Sequence, residues 1–108
     1  MTVSKDSQEQ LQRIQIVEQN IQAVTMQKQQ FQTQLFEIEG ALKEMQTSPV
    51  AYKIIGGLMM SVDKETLTCE LTSKKELIEL RIQTLEKQEK QLKERAKKFQ
   101  DEIMHKES

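Results

Sequence analysis

The sequence predicts a mainly α fold, an antiparallel two-helix coiled coil with a small β-hairpin between the helices. Three observations carry this. Apolar residues recur three and four apart through two long stretches, the spacing that lines up one face of a helix and closes a coiled-coil seam. Between them sits a short run of strand-forming residues interrupted by Gly56-Gly57, the composition of a tight hairpin. A short link between two heptad helices folds them back against each other. With 108 residues the chain has room for one unit and no second domain. Its expected divisions are helix 1 over about 7–47, the hairpin over 51–62 and helix 2 over 64–105.

The first helix carries Ile14, Val17, Ile21, Val24, Phe31, Leu35, Ile38, Leu42 and Met45 on its seam, with Lys28 filling the position between Val24 and Phe31. Ser7, with Gln10 three residues on, has the spacing of a capping box. Thr47-Ser48-Pro49 ends the helix, because proline cannot continue the hydrogen-bond ladder. Gly40 falls on the outer face. In the hairpin, a two-residue Gly-Gly turn pairs Ile55 with Leu58, Ile54 with Met59, Lys53 with Met60 and Tyr52 with Ser61. Apolar side chains then occupy both faces, and both strands have open edges. A lone two-stranded hairpin is marginal in water, so this one calls for further strands around it.

The second helix carries Leu71, Ile78, Ile82, Leu85, Leu92, Ala96, Phe99 and Ile103, with Lys75 and Glu89 at its two polar seam positions. Asp63 can cap a helix starting at Lys64, and Ser73 with Glu76 offers a later start. The earlier one is preferred because Leu67 and Leu71 already stand one turn apart. Two registers fit the antiparallel pair, in which facing residue numbers total about 113 or about 120. In either, Lys28 and Glu89 occupy neighbouring layers, where they can neutralise each other and resist slippage of the seam.

Composition excludes several functions. The formal net charge is −1 with charges of both signs throughout, which gives no general attraction to nucleic acid or to a membrane surface. The most apolar stretch, Ile54 to Met60, is far shorter than the ~20 residues a membrane span needs. Nothing resembles a signal peptide. Cys69 is the only cysteine, which rules out an intrachain disulfide and fits a reducing, cytoplasmic setting. It has no histidine in local reach to act as a base and reads as a small side chain near a helix start. His105, the only histidine, lies in a charged terminal segment without the company of a metal site. Gly56-Gly57 has neither the Gly-Lys-Ser/Thr of a phosphate loop nor the third glycine of a dinucleotide fingerprint. The basic residues Lys93, Arg95, Lys97 and Lys98 are interleaved with acids and read as a solvated face. No catalytic constellation, metal site or cofactor is expected.

Three features exceed a plain coiled coil: the two-sided apolar hairpin, the glutamine-rich surface of the first helix, and off-seam apolar residues near the free ends. Those residues are Leu11, Ile16 and Met104. Beside Ile14, Phe99 and Ile103 they read either as scattered exposed apolars or as a patch able to hold an unfolded chain.

The run Ala51-Tyr52-Lys53-Ile54-Ile55-Gly56-Gly57-Leu58-Met59-Met60-Ser61-Val62, midway between two heptad helices of similar length, resembles the β-class subunits of prefoldin. The shared pattern is a Tyr-Lys, a short apolar run, a glycine and a second apolar strand entering a charged helix, continued by Glu70-Leu71 to Glu79. The likeness spans nearly the whole chain as architecture and about Tyr52 to Leu71 as motif. It implies an ATP-independent holding chaperone: a hexamer, in the archaeal form of two α-class and four β-class subunits, whose hairpins join into a double β-barrel platform. Its coiled-coil tips grasp unfolded proteins and pass them to a group II chaperonin. The α class carries two hairpins, whereas this chain has space for one. The resemblance casts Tyr52, Ile54, Ile55, Leu58, Met59, Met60 and Val62 as assembly residues. Leu11, Ile14, Ile16, Phe99, Ile103 and Met104 become client-binding tips. Met59-Met60-Ser61 departs from the β-branched residues and lysine more common there, and methionine tolerates alternative packing partners. Alternatives are a prefoldin-like subunit that assembles with itself into a filament or scaffold, and a coiled-coil adaptor without chaperone activity.

Overall fold

The computed structural model describes residues 5–107, with side chains through residue 105. Helix α1 spans Lys5–Thr47, strands β1 and β2 span Ala51–Ile55 and Leu58–Val62, and helix α2 spans Lys64–Glu107. The architecture is two long antiparallel helices linked by a β-hairpin.

Burial along each helix follows the heptad pattern. The nine seam residues of α1 and its Lys28 are all buried or half-buried, and so are the eight of α2 with Lys75 and Glu89. Ser7 does not cap α1. The helix is already formed at Lys5, and Ser7 is fully buried within it. The reason lies in the same repeat: Ser7 and Gln10 occupy the two seam positions before Ile14, so burial overrides the capping signal of their side chains.

At its other end α1 stops as its sequence requires. Ser48 N donates to Glu44 O at 3.1 Å and Thr47 Oγ1 to the same oxygen at 3.3 Å, closing the last turn before Pro49 removes a donor. Helix α2 takes the early start. The Asp63 carboxylate accepts from Thr66 N at 3.3 Å and from Thr66 Oγ1 at 2.7 Å, an N-cap that satisfies a donor the helix itself cannot. Those bonds, the Thr66 hydroxyl foremost, hold the Asp63 carboxyl below its ordinary range.

The chain divides into two compact units, one of residues 30–82 and one of Met1–Gln29 with Gln83–Ser108. In the first, Met45, Ala51, Ile78 and Ile82 form the core. Lys75 Nζ lies 3.9 Å from Glu39 Oε1, and the Arg81 guanidinium stands 5.8 Å over the Phe31 ring. In the second, Ile14, Val17, Leu85 and Ala96 form the core. There Gln10 Nε2 donates to Glu102 Oε2 and Thr25 Oγ1 to Glu89 Oε2, both at 2.9 Å. Each unit therefore pairs its helical segments antiparallel in the register totalling about 113.

Candidate functional site

The hairpin is built by its turn. Gly56 and Gly57 have φ of 56° and 82°, the left-handed conformation that glycine adopts without the strain of a side chain. The resulting register is Ala51↔Val62, Tyr52↔Ser61, Lys53↔Met60, Ile54↔Met59 and Ile55↔Leu58, with the four pairs read from the sequence among them. Because facing residues share a side of the sheet, Ile54 and Met59 project from one face, and Ile55, Leu58 and Met60 from the other. All five are exposed, with Ile54, Leu58 and Met59 at 69, 69 and 70%. Tyr52 is also exposed, Val62 is half-buried, and Ala51 is packed at 6%.

The base of the hairpin is tied to the helices. Lys53 Nζ meets Glu70 Oε1 at 2.9 Å, and this hydrogen bond, followed by the lysine's charge, lowers the Glu70 pKa. Lys64 Nζ donates to Ser48 O at 2.9 Å. Beneath β1 a groove of about 510 Å³ is lined by Ala41, Met45, Tyr52, Ile54, Leu67 and Leu71 among others. Among the described residues the sheet has two strands, so the outer edge of each presents backbone donors and acceptors to any further strand.

In the other unit, Glu89 sits at the centre of a polar layer. Thr25 Oγ1 donates to one carboxylate oxygen at 2.9 Å, and Lys28 Nζ and Lys93 Nζ lie 3.3 and 3.4 Å from the other. The Glu89 side chain is only 14% exposed and that of Lys28 19%. Hydrogen bonds to the ionised form, from Thr25 first and Lys28 second, hold the Glu89 carboxyl below its ordinary value. The structure thus joins the two polar seam positions and adds two partners that heptad counting did not single out. Thr25 flanks the seam beside Val24, and Lys93 follows Glu89 by four residues on α2.

The six tip residues are not equivalent. Leu11, Ile16 and Met104 are exposed at 42, 57 and 70%, whereas Ile14 is packed at 7% and Phe99 and Ile103 are half-buried. They do not form one patch. Ile16 precedes Asn20 by four residues and Ala23 by seven, which places it on the side of a groove of about 350 Å³ lined by Asn20, Ala23, Val24, Gln88, Leu92 and Arg95 among others. Leu11 shares the helix side of Thr25 instead. Composition offered one sign of this groove, the small Ala23 at a flanking position where bulkier residues would fill the gap.

Cys69 is exposed on α2. Among the described residues no group of three or more His, Cys, Asp or Glu is placed to hold a metal ion. No described helix is long and apolar enough to cross a membrane.

The fold and its hairpin match known proteins. The family model for prefoldin subunits matches residues 8–107. The prefoldin subunit beta of Methanothrix thermoacetophila is 39% identical over 99 residues, covering 89% of this chain and 82% of the relative. That of Archaeoglobus fulgidus is 38% identical over 97 residues, covering 86% and 83%. The crystal structure of the prefoldin beta subunit from Thermococcus strain KS-1 superposes with a TM-score of 0.89 at 34% identity, covering 96% of this chain and 94% of that one. The chain therefore belongs to the prefoldin family, a family of non-enzymatic chaperone subunits, and within it to the β class.

Proposed function

We propose that this chain is the β-class subunit of an ATP-independent holding chaperone, a hexamer completed by α-class subunits, that binds unfolded proteins at its coiled-coil tips and delivers them to a group II chaperonin. The observation that carries the reading is the hairpin, which exposes apolar side chains on both faces and, among the described residues, has no further strand on either outer edge. Such an element gains stability when other hairpins cover it. Tyr52, Ile54, Ile55, Leu58, Met59, Met60 and Val62 are the residues this assembly would bury.

Client capture would use the exposed Leu11, Ile16 and Met104, which lie on more than one side of the helix pair, together with the less exposed Ile14, Phe99 and Ile103. Apolar capture of this kind selects for unfolded chains without reading a sequence. Native mass spectrometry of the chain alone and with an α-class subunit tests the assembly, and a mixed hexamer that needs the second subunit is the expected result. A ladder of homo-oligomers would favour the self-assembling scaffold instead. For the tips, polar replacement of Leu11, Ile16, Phe99 and Met104 is expected to leave the hexamer intact and weaken its suppression of client aggregation. Undiminished protection would place client binding elsewhere.

A further inference from the structure

Two methionines stand side by side in the middle of strand β2. Met59 is 70% exposed and Met60 49%. Successive residues of a strand point to opposite faces, so one thioether projects from each side of the hairpin. Met59 shares its face with Ile54, across the strand pair, and Met60 shares the other with Leu58 and Val62. Met26 and Met104 are also open to solvent, at 61 and 70%, but lie on the helices, while Met45 is packed at 8%. Among the apolar residues of the hairpin only Met59 and Met60 carry a sulfur. Ile54, Ile55, Leu58 and Val62 are hydrocarbon and inert to mild oxidants.

A thioether is a two-electron reductant. Its sulfur attacks one oxygen of a peroxide, an S–O bond forms as the O–O bond breaks, and the departing hydroxide takes the proton left on the transferred oxygen. Sulfur is oxidised to the sulfoxide, and hydrogen peroxide is reduced to water. A flexible apolar side chain thereby becomes a polar one. In solvent the new oxygen is hydrated and costs nothing. On a face covered by apolar side chains it would find no donor, and burying it would be unfavourable.

We infer that Met59 and Met60 form a reversible oxidation site, with peroxide as the oxidant, that excludes an oxidised chain from assembly. The inference rests on the hairpin assembly proposed above. A free chain presents both sulfurs to solvent and is modified, whereas an assembled chain holds them between strands and is spared. Because one sulfur stands on each face, a sulfoxide disables the hairpin whichever face meets a neighbour. Methionine sulfoxide reductases, each acting on one sulfoxide epimer, return the thioether and with it the competence to assemble.

The test needs no substitution. The full-length chain is treated briefly with hydrogen peroxide, so that its methionines are oxidised in part, and is then mixed with an α-class subunit. Assembled and unassembled fractions are separated by size, and their sulfoxides are located by peptide mass spectrometry. Expected is a depletion of sulfoxide at Met59 and Met60 from the assembled fraction by roughly tenfold or more, the factor one unpaired buried polar group supplies. Sulfoxide at Met26 should be shared equally by the two fractions, and treatment with both reductases should return the excluded chains to the assembly. Equal sulfoxide at Met59 and Met60 in the two fractions would overturn the site. Equal exclusion of chains oxidised at Met26 would overturn it as well, by tracing the loss to general damage, and exclusion that survives reduction would overturn its reversibility. Absence of any assembled fraction from untreated chain would remove the assembly reading itself.

Discussion

At the scale of single residues, Glu89 shows how a seam tolerates charge. A carboxylate at a heptad position would ordinarily lose stability by desolvation, but here three side chains donate to it. Its pKa lies below the ordinary 4.5. A depressed carboxyl contributes stability that is present above its unfolded pKa and is lost as pH falls through the folded one. The Tm difference between wild type and Glu89→Gln should accordingly be constant from neutral pH down to about 5 and shrink below 4.5, measured by circular dichroism across a pH series. In a double-mutant cycle, Lys28→Ala and Glu89→Ala should together cost less than the sum of the two alone, because each single change strands the partner. Additive losses would mean that the ion pair exerts no hold on the register.

At the scale of elements, the helices are stable through the seam and the hairpin through its turn. Ile78→Ala, at 8% exposure, should cost about 2–5 kcal/mol by leaving a cavity in a layer with few other contacts, read from chemical denaturation. Gly40→Ala should act in the opposite direction. The position is open on all sides, and alanine gains roughly 1 kcal/mol of helix propensity, so the separated chain should become more stable. Gly57→Ala at φ 82° should weaken the hairpin by about 1 kcal/mol. These elements were legible in the sequence because each rests on local rules, namely heptad spacing, a proline stop and a Gly-Gly turn. The start of α1 was not, since the side chains of Ser7 and Gln10 suit a cap as well as a seam and only packing against the second helical segment chooses between them.

At the scale of the whole molecule, the proposed assembly would turn the two-sided hairpin from a liability into the element that other hairpins cover. Glutamate at Ile54 or Met59 should release helical monomers from the oligomer, because a charge buried between strands has no compensating partner. Size-exclusion chromatography with light scattering checks this, and an intact hexamer would mean those faces remain in solvent. In that assembly the same residues, an uncovered edge in the isolated chain, would be held in check because each subunit presents a matching one.

The sequence by itself determined the element order, the seam residues and the pairing in the hairpin, because these follow from periods of 3.5 and 2 and from glycine's tolerance of positive φ. Even the adjacency of Lys28 and Glu89 could be read from complementary breaks in two repeats. Tertiary structure alone decided between the two registers, since both align apolar layers and only the observed partners of Gln10, Thr25, Glu39 and Phe31 separate them. It also sorted the tip residues into exposed Leu11, Ile16 and Met104 and packed Ile14, a distinction that depends on which side of a helix meets its partner. The groove beside Ala23 arose in the same way, as a space between two segments that neither specifies alone.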